Sequence, residues 1–293
     1  MKNSIEFDIV LVNYQTRESS NSEEQYAYDL AQKYSKKCYT LKASPISNNF
    51  EKQARDIRYR FFDKLMLNYD NLIMGHQLND QLEWLFMRLS KGAGLMELLG
   101  LESLSKREKY QIIRPLLKIS KNELIEFLNV NKYKYFIDSS NFSDKYERNR
   151  FRDEFANSFI DKYRDGVIRS FEYLKNDKAQ LLENFREIYR YEELIILKVE
   201  NIKYKIKAID LTLKKLGYLL SNAQRNEIIQ SNSIVIGGLW AIETQDNLIH
   251  IAPYTQIKIP KKYKDIYRKA KIPAKIRPYY YQNSIMPNQV AYS

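Results

Sequence analysis

A chain of 293 residues can bury a core large enough for two domains, and its formal net charge of +12 favours an anionic partner such as nucleic acid. Its single cysteine, Cys38, excludes an intrachain disulfide and any Cys-x-x-Cys metal or redox motif. No run of apolar residues is long enough to span a membrane, and the N-terminus has no apolar signal core. These features predict a cytoplasmic protein without membrane contact.

The first half of the chain alternates between strand and helix patterns. Residues 7–12, FDIVLV, form an apolar run that predicts a strand covered on both faces, and helical spacing follows over 23–37. A strand at 38–41, a helix at 50–67 and a strand at 72–74 come next. This order predicts an α/β fold with a parallel, Rossmann-like sheet, in which ligands bind at the carboxyl ends of the strands.

A polar turn, GHQLND, follows the third predicted strand at residues 75–80. It contains His76, one of only two histidines, and leads into a helix that begins near Asn79 or Asp80 and runs to Ser90. The apolar stripe of this helix leaves Asp80 and Glu83 on another face. From the residues alone, the helix dipole is enough to explain an acidic residue at Asp80 in the first turn, and Glu83 either supports a ligand site or is a solvated helix charge.

Arginine residues mark several of the predicted elements. Arg55 and Arg58 lie on the helix at 50–67, where they either pair with neighbouring acids or face a substrate. Arg114 follows a strand-like segment and is fixed by Pro115. Guanidinium groups bind phosphate oxygens in pairs, so these positions are candidates for nucleotide contact.

A second group of basic residues closes the first half. A capping box, Ser120-x-x-Glu123, predicts the start of a helix, and DSSN at 138–141 predicts a turn. The next helix starts in ERNRFRDEF, residues 147–155. It carries Arg148, Asn149, Arg150 and Arg152. These residues either form an exposed basic face or contact nucleotide or RNA phosphates.

The second half predicts a smaller domain. Residues 166–200 carry one long helical pattern and predict a connector, while 205–230 predict a pair of short helices. Residues 233–252 alternate as strands do, with Trp240 and His250 as core or turn residues. The predicted organisation is a catalytic domain over 1–165, a helical connector over 166–200 and an α+β domain over 201–293.

The segment 254–281 concentrates positive charge, with nine basic residues and one acid, Asp265. Tyrosines are interleaved with them, so the segment predicts RNA binding by phosphate contacts and by stacking on unpaired bases. A solvated basic tail is the alternative. The candidate RNA contacts are Lys261, Lys262, Lys264, Arg268, Lys269, Lys271, Lys275 and Arg277.

Several motifs occur in the order and approximate spacing of one family. They are NNFEKQARDIRYRFF at 48–62, GHQLNDQLEWLFMRLSKGAG at 75–94, RPLL at 114–117, DSSN at 138–141 and RNRFR at 148–152. Together they resemble the tRNA(Ile)-lysidine synthetases, which belong to the PP-loop enzymes. A weaker likeness covers IYRKAKIPAKIRP at 266–278.

The resemblance implies an adenine nucleotide alpha hydrolase-like fold and an ATP-dependent carbon–nitrogen ligase. ATP would adenylate the C2 oxygen of the wobble cytidine in tRNA(Ile) with a CAU anticodon, and free L-lysine would displace AMP to form lysidine. The codon specificity would change from AUG to AUA. Asp80 and Glu83 would be catalytic, with Asp80 a possible Mg²⁺ ligand. The residues that would contact nucleotide or substrate are His76, Arg114, Arg148, Asn149, Arg150 and Arg152.

The sequence departs from the family in one respect above all. The phosphate loop, Ser-Gly-Gly-x-Asp-Ser, is absent from the 293 residues, and Met1 lies where the family's first helix should end. We therefore expect weak ATP binding by this form, which is either truncated, given a wrong start, or a tRNA-binding remnant without catalysis. The reading frame upstream of Met1 distinguishes these cases. A PP-loop tRNA thiolase is a further alternative, but such enzymes usually need more than one cysteine.

Overall fold

In the computed structural model, which describes residues 6–136 and 147–290, the chain forms two units, Met1–Leu174 and Lys175–Ser293. The first unit begins with β1 (Ile9–Asn13), α1 (Ser20–Lys33), β2 (Cys38–Lys42), α2 (Phe50–Leu65) and β3 (Asn71–Ile73). It continues with α3 (Leu78–Leu89), α4 (Leu95–Leu98), β4 (Leu104–Lys106), β5 (Gln111–Ile113) and α5 (Lys121–Val130).

The strands of the first unit run parallel where the α/β pattern predicts it. β1 pairs with β2 and β3 pairs with β5 in parallel, while β4 is antiparallel to β5. The predicted α/β class is confirmed. The apolar run of β1 is only half-buried instead of covered on both faces, because among the described residues β1 pairs with β2 alone.

Local capping explains where the site-bearing helices begin. The predicted capping box is confirmed, since the Ser120 N–H donates to Glu123 Oε2 at 2.7 Å and the Glu123 N–H donates to Ser120 Oγ at 3.3 Å. At the start of α3 the Gln77 N–H donates to Asp80 Oδ2 at 2.9 Å. Both helices therefore fix a carboxylate in their first turn.

A helix with an irregular turn follows α5. The short α6 (Glu147–Arg150) leads into a π-helical segment, Phe151–Ala156, and then into α7 (Asn157–Glu183). Ala156 and Ile160 pack against Leu78 and Leu82 of α3 in one apolar cluster. The turn predicted at 138–141 lies outside the described residues.

The second unit is built on a five-stranded antiparallel sheet. Its strands are β6 (Phe185–Tyr191), β7 (Leu194–Val199), β8 (Ser233–Ile236), β9 (Trp240–Gln245) and β10 (Leu248–Pro253), in the order β6-β7-β10-β9-β8. Its helices are α8 (Lys205–Lys215), α9 (Asn222–Gln230), α10 (Lys261–Lys269) and α11 (Arg277–Gln282). The predicted helix pair and the predicted strands over 233–252 are confirmed.

The helix predicted over 166–200 is correct only as far as Glu183, because residues 185–199 form β6 and β7. The apolar run of β7 is buried on both faces of the sheet. Ile195 and Leu197 pack in the cluster that includes α8 and α9, while Leu194 and Ile196 pack in the cluster that includes α10 and α11. This period of two is the signal for a strand that the helical interpretation missed.

Candidate active site

A cavity of about 690 Å³ in the first unit collects side chains that follow three different strands. Tyr14 and Arg17 come after β1, His76 and Asp80 come after β3, and Arg114 comes directly after β5. Carboxyl ends of strands are where α/β sheets bind ligands. The cavity therefore lies where the sequence predicted a ligand site.

Asp80 is held at the cavity by its neighbours. Its Oδ2 accepts the Gln77 N–H, and its Oδ1 lies 2.5 Å from Arg148 Nη2. Both Asp80 and Arg148 line the cavity. Burial lowers the pKa of the Arg148 guanidinium, but the carboxylates of Glu83 and Asp80 outweigh this and raise it. Arg148 is therefore a permanent cation beside Asp80.

Glu83 lies behind this pair and is only 1% exposed. Its carboxylate accepts from Arg148 Nε at 2.8 Å and from Arg152 Nε at 2.6 Å. Arg148 and Arg152 are four residues apart, a spacing that puts both side chains on one face of a helix, and both reach the Glu83 carboxylate. Glu83 does not line the cavity, so its contacts orient the arginines.

The remaining predicted residues of this helix are placed differently. Asn149 is buried, and Arg150 is exposed and does not line the cavity. On α3, Asn79 donates to Asn157 Oδ1 at 2.8 Å and accepts from the Lys121 N–H at 2.9 Å. This side chain ties the first turn of α3 to the starts of α5 and α7, a role that no sequence pattern indicated.

His76 and Arg114 contact each other on the cavity wall. Arg114 Nε donates to His76 Nδ1 at 3.3 Å, and Arg114 Nη1 donates to Glu102 O at 2.9 Å and to Ser105 Oγ at 2.7 Å. Burial lowers the pKa of His76, and nearby arginines, Arg114 first, add to this against the opposing effect of Asp80. His76 is therefore neutral near pH 7, with Nδ1 as a hydrogen-bond acceptor.

Aromatic residues at the cavity were not predicted from the sequence. They are Tyr14, Phe50, Tyr59 and Trp84. Trp84 Nε1 donates to Glu97 O at 2.9 Å, and its ring lies against Gly100, where an added Cβ would be 2.2 Å from ring atoms. Residue 100 must therefore be glycine while Trp84 fills this wall.

The charge of the cavity lining is strongly positive. Six basic side chains face two carboxylates, Glu51 and Asp80. The basic residues are Arg17, Lys52, Arg55, Arg58, Arg114 and Arg148. Lys52, Arg55 and Arg58 lie on α2, and a spacing of three to four residues puts such positions on one helix face. A cavity of this size and charge suits a phosphorylated ligand.

Asp80 was also the predicted magnesium ligand. Its Oδ1 pairs with Arg148 and its Oδ2 accepts a backbone N–H. Across 6–136 and 147–290, no group of three or more His, Cys, Asp or Glu side chains could hold a metal ion. A metal site built by protein ligands alone therefore does not fit this arrangement.

The basic segment of the second unit forms α10, α11 and the turn between them. The exposed side chains are Lys261, Lys262, Lys264, Arg268, Lys269 and Lys271. Lys275 Nζ instead donates to Ser233 O at 2.9 Å, and Arg277 Nε donates to Ile272 O at 2.8 Å. Those two side chains stabilise the fold locally.

The interleaved tyrosines do not form an exposed stacking surface. Tyr267, Tyr279 and Tyr280 are at most 5% exposed and belong to the apolar cluster that covers one face of the sheet. The prediction that they stack on bases is wrong for these three, because α10 and α11 need apolar area to pack on the strands. Trp240 and His250 are buried, as predicted.

Comparisons with known proteins agree with the arrangement of the first unit. A family model described as a PP-loop domain matches residues 1–159. None of the helices in the described ranges has the length and apolar character needed to cross a membrane.

Several curated relatives match nearly the whole chain. A tRNA(Ile)-lysidine synthase of Campylobacter jejuni strain RM1221 is 43% identical, over 97% of this chain and 88% of that protein. Those of Wolinella succinogenes and Helicobacter pylori strain 26695 are 38% and 40% identical, over 97% and 95% of this chain and 88% and 83% of those proteins. The chain therefore belongs to the tRNA(Ile)-lysidine synthase family of ATP-using PP-loop proteins.

Proposed function

We propose that this chain joins free L-lysine to C2 of the wobble cytidine of tRNA(Ile) with a CAU anticodon, at the expense of ATP. The observation that carries the proposal is the basic cavity at the strand ends, with one carboxylate, Asp80, held among arginines. Relatives that are lysidine synthases over nearly the whole chain support this ligase reaction over a thiolase or a remnant without catalysis.

The chemistry needs two steps. The C2 oxygen of cytosine attacks the α-phosphorus of ATP and pyrophosphate leaves, which turns a poor leaving group into AMP. The lysine amine then attacks C2, AMP departs with the oxygen, and one proton is released. Negative charge on phosphate is common to both steps, so cationic side chains around the reacting atoms stabilise both transition states.

The cavity residues divide these tasks. Arg114, directly after β5, and Arg148, on α6, both line the cavity and neutralise the reacting phosphate. Asp80 is the carboxylate that attracts the cationic lysine and orients its amine. Its negative charge offsets the positive charge of the lysine next to the phosphate. Neutral His76 supplies a hydrogen bond to nucleotide or base. Glu83 and Arg152 keep Arg148 in place.

Magnesium would accompany ATP, bound mainly by its phosphates. The exposed lysines of α10 would bind tRNA phosphates.

An Asp80→Asn variant tests the proposal. Loss of one electrostatic stabiliser at a reacting phosphate lowers the rate by about 10²–10³. Incorporation of labelled lysine into a tRNA(Ile) transcript should fall by this factor, and a transcript with U34 should accept no lysine. The assay is run on the 293-residue chain and on a version extended by its natural upstream codons, so that a missing phosphate loop and an absent activity are told apart.

Glu123→Gln is the matched control. Glu123 also accepts a backbone N–H in the first turn of its helix and also pairs with an arginine, Arg164, but it does not line the cavity. Its variant should keep activity within about twofold when stability is matched. If Asp80→Asn retained more than half of the activity, Asp80 would be only a helix-capping residue.

A further inference from the structure

Three guanidinium groups surround the ring of Tyr59. The Cζ atoms of Arg107, Arg55 and Arg58 lie 4.4, 5.3 and 5.9 Å from the ring centroid. These four residues form what we name the Tyr59 cluster. Arg55 and Arg58 come from α2, and Arg107 comes from the turn between β4 and β5, which is closed by the Arg107 N–H donating to Tyr110 O at 2.8 Å.

The charge of the Tyr59 cluster is not neutralised by the protein. None of the three arginines forms an ion pair with a carboxylate in the described part of the chain. The Nε atom of Arg58 is buried and has no hydrogen-bond partner there. Cation–π contact with one ring only partly offsets the mutual repulsion of three cations. Such an arrangement is expected where an anionic ligand completes it.

The Tyr59 cluster is continuous with the cavity but distinct from the reacting groups. Tyr59, Arg55 and Arg58 line the cavity, together with His76 and Asp80. Arg107 precedes β5, however, whereas Arg114 follows it. The three residues of that strand rise by about 10 Å along the sheet. Arg107 therefore enters the Tyr59 cluster from the opposite end of β5 to Arg114.

We propose that the Tyr59 cluster binds a backbone phosphate of the substrate RNA strand while the target base occupies the cavity. The inference rests on the proposed function for the identity of the strand. Guanidinium groups bind phosphate oxygens in pairs, and three of them from two elements can enclose one phosphodiester. The site would position the anticodon loop and would leave the reacting atoms to Asp80, Arg114 and Arg148.

Arg107→Gln is the sharpest test, because Arg107 belongs to the Tyr59 cluster but does not line the cavity. Binding of an anticodon stem-loop RNA is measured by fluorescence anisotropy over a series of salt concentrations. Removing one charge-assisted hydrogen bond should weaken binding about tenfold, and removing one cation from a phosphate of unpaired RNA should reduce the slope of log K against log salt by about 0.7. Arg55→Gln should reproduce both effects.

Lys109→Gln is the charge-matched control, since Lys109 is exposed in the same turn and lies outside the Tyr59 cluster. It should leave affinity and slope unchanged, and ATP binding, followed by calorimetry, should be the same in the wild type, Arg107→Gln and Lys109→Gln. Weaker ATP binding with unchanged RNA binding would assign the Tyr59 cluster to a nucleotide phosphate and overturn the proposal. Unchanged RNA binding and unchanged ATP binding would overturn it too.

The two proposals can fail separately. A chain that forms no lysidine but whose Arg107→Gln variant still shows the reduced salt slope would retain the phosphate site and lose the proposed reaction. Normal lysidine formation with an unchanged salt slope for Arg107→Gln would retain the proposed reaction and lose the phosphate site.

Discussion

Asp80 and Glu83 looked equivalent in the sequence, one helical turn apart on α3. The structure separates them, because Asp80 lines the cavity whereas Glu83 is buried between Arg148 and Arg152. A buried carboxylate with two guanidinium partners has little freedom to meet a substrate. We therefore infer that Glu83 positions the two arginines, and Asp80 remains the proposed catalytic carboxylate.

Glu83→Gln should destabilise the first unit by about 3 kcal/mol, because it removes the buried charge that pairs with both Arg148 and Arg152. Urea denaturation measures the change. Glu147→Gln removes an exposed pair with Lys91, whose side chains are 43% and 51% exposed, and should cost less than about 1 kcal/mol. Equal destabilisation by the two substitutions would contradict the assigned burial of Glu83.

His250 makes stability depend on pH. Burial lowers its pKa to about 4, whereas an unfolded histidine titrates near 6.5. Below pH 6.5 the unfolded chain takes up a proton that the folded chain refuses until about pH 4. The free energy of unfolding should therefore fall over this window, by at most about 3 kcal/mol.

His250→Leu removes this contribution and is the comparison to make. The free energy of unfolding of both proteins is measured at pH 7 and at pH 4.5. Between these two values the wild type should lose more stability than the variant. The only other histidine, His76, is unchanged in both proteins. A pH-independent difference would mean that the pKa of His250 is the same in the folded and unfolded chains.

At the scale of elements, the connection between α6 and α7 matters most for the site. The π-helical segment Phe151–Ala156 begins between Arg148 and Arg152, whose side chains both reach Glu83. The sequence pattern gives no sign of this wider turn, because a π-helical turn has no distinct apolar period. Widened turns of this kind are frequently found at functional sites.

The exposed face of α10 carries the prediction for RNA binding. Replacing Lys261, Lys262, Lys264 and Lys269 by glutamine should weaken tRNA binding, and each lysine that binds a phosphate should account for roughly 0.7–0.9 of the salt slope. Cognate and non-cognate tRNA should be affected about equally, since phosphate contacts carry no sequence information. Filter binding at several salt concentrations measures both quantities.

The control replaces four exposed lysines of the same unit and so removes the same amount of charge. They are Lys198, Lys203, Lys214 and Lys215. The salt slope of this variant should stay close to that of the wild type. If the α10 variant kept an unchanged slope, α10 would be a solvated basic helix and the RNA surface would lie elsewhere.

At the scale of the whole molecule, each of the four apolar clusters found in the described residues belongs to one unit. Those around Leu72 and Leu78 lie in Met1–Leu174, and those around Ile196 and Ile209 lie in Lys175–Ser293. Proteins with more than one compact unit commonly depart from two-state unfolding. The two units should therefore unfold in separate transitions.

The two tryptophans allow this to be measured, since Trp84 belongs to the first unit and Trp240 to the second. A Trp240→Phe variant reports on the first unit by fluorescence, and a Trp84→Phe variant reports on the second. Denaturation midpoints should differ between the two reporters, and circular dichroism should show both transitions. Coincident midpoints by all three signals would indicate one cooperative unit.

The sequence by itself determined the family, the α/β class and the strand-end position of the site. Those features depend on local pattern, because apolar runs, the capping box at Ser120 and the GHQLND turn are readable over a few residues. The motifs also identified Asp80, Arg114 and Arg148, which meet at the cavity. The strands at 185–199 were missed, since a short apolar run between charged residues fits either period.

Only the tertiary structure decided which polar residues meet. Glu83 lies 65 and 69 positions before Arg148 and Arg152, and Arg107 reaches Tyr59 from a separate hairpin. No local pattern encodes such distances, because they depend on how helices pack on the sheet. Tyr267 and Tyr280 lie in the core for a similar reason. Amphipathic helices bury their apolar face, so these two side chains pack on the sheet instead of facing a ligand.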